Sequence, residues 1–78
     1  MEKKSIGEFI AEERKKQQSP TGKPFTQLML ANKAKLHRTT IADLEAGKAF
    51  PDVHTAVILA RIFSCTVDEL LNGERIRS

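Results

Sequence analysis

The chain has one cysteine, no tryptophan, no tyrosine and three prolines among 78 residues. A lone cysteine excludes an internal disulfide framework and any zinc cluster built on thiolates. With four phenylalanines as the sole aromatics, the core must be mostly aliphatic, which favours helices over a β-sandwich. No apolar run approaches the ~18 residues needed to cross a bilayer, and no signal-peptide pattern opens the sequence. A cytoplasmic protein without a membrane partner is therefore expected. Enzymatic signatures are missing too. There is no H-E-x-x-H, no glycine-rich phosphate loop, and no Cys–His or Ser–His pairing in a supporting context. Glu12 and Glu13 are adjacent, but neighbouring helical residues point in different directions, so they read as part of a solvated face. His37 and His54 lack a surrounding set of further ligands, so no metal site and no cofactor are expected.

What is present suits one small globular domain. Apolar residues make up 40% and charged residues 29%, a balance unlike that of a disordered tail. A chain of this size buries only about 60% of its unfolded surface, so the core is thin. The net charge of +3 is unevenly spread. Residues 1–40 carry nine Lys/Arg against four Glu, and residues 41–78 carry four basic against six acidic. A basic first half suits a polyanion partner, although a merely solvated surface explains the same charge.

Helix boundaries can be read along the chain. Ser5 with Glu8 forms a capping box opening a helix of about Ile6–Gln17, in which Ile6, Phe9 and Ile10 share a face. Gln18–Pro24 holds two prolines and a glycine and reads as an extended loop. Thr26 caps a short helix, Gln27–Ala34, and a tight turn leads to another, Arg38–Ala46, which Gly47 stops. Leu30, Ala31, Leu36, Ile41 and Leu44 form one buried set, with Ala31 small enough to let the two helices cross closely. Asp52 caps Val53–Phe63, whose core stripe reads Val53, Ala56, Leu59, Ala60 and Phe63. Thr66 with Glu69 opens Val67–Asn72, closed by Gly73. The domain spans residues 5–73, with 1–4 and 74–78 as flexible termini. Cys65 reads as a buried, unreactive thiol.

The stretch Thr26–Lys48 outlines a helix-turn-helix whose second helix exposes Arg38, Thr39 and Asp43. Here the sequence resembles the phage repressor/Cro-type (XRE-like) helix-turn-helix family. The matching residues are Phe25-Thr26-Gln27, Leu30-Ala31, Leu36, Thr40-Ile41, Leu44-Glu45, Gly47-Lys48 and Pro51. The likeness extends from Ile6-Gly7-Glu8 to Leu70-Leu71-Asn72-Gly73. It implies an all-α, compact five-helix, lambda-repressor-like fold. It also implies a sequence-specific regulator of transcription, a repressor binding double-stranded DNA as a homodimer on an inverted repeat. The alternative is an antitoxin-type or other protein-binding module.

By that resemblance, Arg38, Thr39 and Asp43 read bases, while Gln27, Lys35, His37, Thr40 and Lys48 meet the DNA backbone. Arg38 can bond both acceptors of a guanine, and Thr39 can touch a thymine methyl. Asp43 either accepts from a cytosine amine or holds Arg38 or a lysine in position. Arg14 is expected to pair with Glu45; otherwise both are solvated. The sequence also departs from the family. Lys35 stands where glycine is usual and the backbone takes positive φ, at a cost of roughly 1 kcal/mol. His37 replaces a better cap. The Gln18–Pro24 loop is longer than usual. Leu28 and Met29 are apolar where polar residues are common, so either the loop covers them or they meet a partner. Phe50, Ile58 and Ile62 are dimer-interface candidates, or they pack under the C-terminal tail.

Overall fold

The computed structural model describes residues 4–17 and 19–76. Met1–Lys3, Gln18 and Arg77–Ser78, on which parts of the expected flexible termini and the start of the expected Gln18–Pro24 loop fall, lie outside the described residues. Five helices form, with no strand among the described residues: α1 (Ile6–Lys16), α2 (Gln27–Ala34), α3 (Arg38–Ala46), α4 (Val53–Phe63) and α5 (Val67–Asn72). Each start has a chemical cause except that of α3. The Ser5 Oγ accepts from the Glu8 amide at 3.2 Å, and the Ser5 amide donates to Glu8 Oε1 at 3.0 Å. Thr26 and Asp52 accept from the third amides of α2 and α4, at 3.1 and 2.8 Å. Thr66 and Glu69 repeat the reciprocal box at α5. Such caps satisfy donors that have no partner inside the helix.

Four helix ends use the left-handed conformation, at Lys35, Gly47, Ser64 and Gly73. The φ values of +58° at Lys35 and +55° at Ser64 are borne by side chains that disfavour them. α1 differs: Gln17 is extended, so the helix ends at Lys16, one residue before the expected end.

The core gathers Phe9 and Ile10 from α1, Phe25, Leu30, Ala31 and Ala34 from in and beside α2, and Ile41 and Leu44 from α3. Ala56, Leu59 and Phe63 of α4 and Leu70 of α5 complete it. Burying each large aliphatic side chain contributes about 1.5–3 kcal/mol as an upper estimate. Both α1 and α2 pack on α3, while α5 bridges α4 and α1. Gly7 makes the first of these contacts possible. A Cβ there would stand 2.6 Å from the carbonyl oxygens of Leu44 and Glu45, so the α1 backbone lies directly on the C-terminal half of α3.

Several expectations are corrected by the packing. Val53 is 81% exposed, because the buried side of α4 starts at Thr55 and Ala56. Leu36 is only partly buried, packed against the rim of the core. Of the three dimer candidates, Ile58 and Ile62 are partly buried against the core and Phe50 is 76% exposed, and all three keep accessible surface. Leu28 is exposed and the loop does not cover it, whereas Met29 packs on the core. Cys65 is partly buried against the core, and burial raises its thiol pKa.

Glu13 was expected on a solvated face and is buried instead. Its carboxylate accepts from Arg75 Nη2 at 2.6 Å and from Lys16 Nζ at 3.2 Å. Burial alone would raise this carboxyl, but the two cations outweigh it and hold it below the ordinary carboxylate range. The segment Glu74–Ile76, expected within a flexible terminus, is tied down by the same chemistry. Arg75 also donates to the Phe63 and Ser64 carbonyls, and the Ile76 amide donates to Glu69 Oε2 at 2.7 Å. At the other end Lys4 bridges to Glu12 at 2.8 Å with both side chains half exposed, a pair worth little.

Candidate nucleic-acid interface

α3 has two unlike sides. Ile41 and Leu44 are buried against α1 and α2, while Arg38 and Thr39 are exposed and Thr40 and Asp43 half-buried. Among the described residues the side chains of Arg38, Thr39 and Asp43 have no hydrogen-bond or ion-pair partner. Asp43 therefore does not hold Arg38 in this structure. Its backbone carbonyl has another task, accepting from the amides of Lys48 at 2.9 Å and Ala49 at 3.3 Å. That closure, made around Gly47 with φ +79°, sets Lys48 in solvent just past the helix end.

At the other end of α3, His37 occupies the N-cap with extended backbone but makes no side-chain cap hydrogen bond. The first amides of the helix are thus left without a side-chain acceptor, and His37 and Lys35 are both exposed beside them. A helix start with open amides and a flanking lysine favours an anion.

The tilt of α3 is fixed from behind by one carboxylate. Arg14 donates through Nε to Glu45 Oε2 at 2.7 Å and through Nη2 to Glu45 Oε1 at 3.1 Å. Its Nη1 donates to the Phe25 carbonyl at 2.7 Å. Gln27 Nε2 donates to Glu45 Oε1 at 3.0 Å. The Arg14 and Glu45 side chains are only 13% and 8% exposed, so this is a shielded pair with bidentate geometry. The structure thus brings Arg14, Glu45 and Gln27 together. Half of Gln27's amide nitrogen capacity is spent inside the protein, which the sequence did not show. Gly7, under the same end of α3, was matched only as part of the family pattern. Its signal was a glycine inside a helix, costly enough to call for a packing reason.

Residues 25–70 match a family model described as Helix-turn-helix. The chain belongs to the phage-repressor/Cro-type helix-turn-helix family of DNA-binding proteins. A curated relative, the HTH-type transcriptional activator BcrR of Enterococcus faecalis, is 42% identical over 62 residues, or 80% of this chain. The chain spans 30% of that relative's length. Among solved structures, the DNA-binding domain of the P22 C2 repressor is similar with a TM-score of 0.76, covering 100% of this chain and 95% of that one. At 23% identity that likeness shows a shared fold. No helix among the described residues is long and apolar enough to cross a membrane.

Proposed function

We propose that this chain is a sequence-specific binder of double-stranded DNA that regulates transcription, with α3 as the helix entering the major groove. The observation that carries the reading is the outer face of α3, where Arg38, Thr39 and Asp43 have no side-chain partner among the described residues while the opposite face is locked to the core. Arg38 bonds the two acceptors of a guanine, Thr39 contacts a thymine methyl, and Asp43 accepts from a cytosine amine. Phosphates are met by Lys35, His37 and Thr40 at the start of α3, by Lys48 beyond its end, and by Gln27 with the first amides of α2.

One reading helix covers few base pairs, so tight and selective binding calls for a homodimer on an inverted repeat. Such a dimer would set its two copies of α3 on half-sites about one turn (~34 Å) apart. Phe50, exposed in the connection between α3 and α4, is the candidate contact between protomers. Repression by occupancy of promoter DNA is the proposed outcome.

Selecting duplexes from a random pool tests this. The parent should enrich an inverted repeat, and Arg38→Ala should lose the preference at the guanine it reads, about 1–3 kcal/mol of discrimination. A variant that enriches the same sequence as strongly sinks the assignment of α3. Exposed Leu28, Phe50 and Val53 favour one other reading, a protein-binding module. It is supported if nucleic-acid affinity is indifferent to Arg38 while a protein is bound tightly.

A further inference from the structure

Between α1 and α2 the described residues 19–24 add nothing to the core, yet they close a turn. The Gly22 amide donates to the Ser19 carbonyl at 3.2 Å, and the Ser19 Oγ donates to the Lys23 carbonyl at 2.6 Å, closing a turn. Lys15, Gln17, Ser19, Gly22, Lys23 and Pro24 line one open hollow against the end of α1. Two lysines face it and, among the described residues, no carboxylate lines it. Lys15 and Lys23 are exposed and lack ion-pair partners among the described residues, whereas the neighbouring Lys16 is engaged by Glu13. An uncompensated double positive charge in a concave surface raises the local concentration of anions.

The position of the hollow points to which anion. The chain runs from Lys23 through Pro24 to Phe25, whose carbonyl is gripped by Arg14 Nη1 at 2.7 Å, and then enters α2. Lys23 is thus within about 14 Å of Gln27, the reach of four extended residues. Gln27 and the α2 start are where the proposed function puts a phosphate.

We propose that this hollow is a second phosphate-binding surface, in which Lys15 and Lys23 grip the sugar–phosphate backbone of the DNA flanking the base pairs read by α3. The inference rests on the DNA-binding reading and extends its footprint beyond the helix-turn-helix. It predicts affinity without sequence choice, because phosphates carry no base information.

The test is the salt dependence of duplex binding, followed by fluorescence anisotropy between 50 and 200 mM KCl. Each phosphate contact contributes about 0.9 to the log–log slope, so Lys15→Gln with Lys23→Gln should flatten it by about 1.8. Across that fourfold salt range the parent then loses about 12-fold more affinity than the double variant. Base preference and melting temperature should be unchanged, Lys15→Arg with Lys23→Arg should restore the slope, and trimming the flanking base pairs should abolish the difference. An unchanged slope, or a flattened slope that arginines do not restore, overturns the proposal. Arg38→Ala, measured in parallel, reports on the DNA-reading assignment separately, since it changes base preference and these lysines do not.

Discussion

Replacing Arg14 with alanine should remove a large share of the stability of this domain. Glu45 has three side-chain hydrogen bonds, and two of them come from Arg14. The substitution leaves the carboxylate, in a side chain 8% exposed, with Gln27 alone. It also leaves the Phe25 carbonyl without its donor. Breaking a fully buried pair costs 3–5 kcal/mol in general, and partial access to water here lowers the expected figure to about 2–4 kcal/mol. A domain of 78 residues has roughly 4–12 kcal/mol in total. A loss of about 3 kcal/mol lowers the melting temperature by roughly 12–24 °C at this size. Urea titrations followed by circular dichroism measure the change directly, and a cycle with Glu45→Ala isolates the coupling between the two side chains, expected at about 1–3 kcal/mol. A destabilisation below about 0.5 kcal/mol would place the pair with ordinary surface bridges and refute the shielding argument.

Gly7→Ala should destabilise by about 1–3 kcal/mol despite alanine's better helix propensity, because its methyl group meets two backbone carbonyls that cannot swing aside; an unchanged or raised melting temperature would show that α1 can shift freely on α3. Lys35→Gly should stabilise by about 0.5–1 kcal/mol by relieving the left-handed residue at φ +58°, read as a rise in the urea midpoint, with weaker DNA binding if the lysine meets phosphate. Glu8, Glu13, Asp52 and Glu69 all have depressed carboxyl pKa values, from ordinary values of 4.5 for the glutamates and 3.8 for Asp52. The unfolded chain therefore takes up protons first, so stability is fully present above about pH 5 and falls as acid carries the pH through and below those values. Glu13→Gln should reduce that acid-side slope, and denaturation midpoints measured from pH 7 to 3 would show whether it does.

The helices were legible because their ends are written locally. Ser5, Thr26, Asp52, Thr66, Gly47 and Gly73 sit at the boundaries that the structure shows. Periodicity tells which residues share a side of a helix but not how far a neighbour extends along it, which is why Val53 fits the apolar stripe of α4 and yet stands in water. The burial of Glu13 escapes a local reading for a related reason. Its partner Arg75 is 62 residues away, and no local pattern reports such a meeting. At the candidate site the family pattern placed Arg14 opposite Glu45, whereas the diversion of Gln27 onto the same carboxylate depends on three-dimensional geometry that spacing alone does not supply.

Glu45 ties α1 and α2 to the back of α3 through Arg14 and Gln27, and Arg14 in turn holds the Phe25 carbonyl at the lead-in to α2. The entropy of orienting that helix is thus spent during folding and not at the moment of encounter. On the proposed reading, docking onto a duplex then proceeds with α3 already held in its orientation, with no helix left to order on contact.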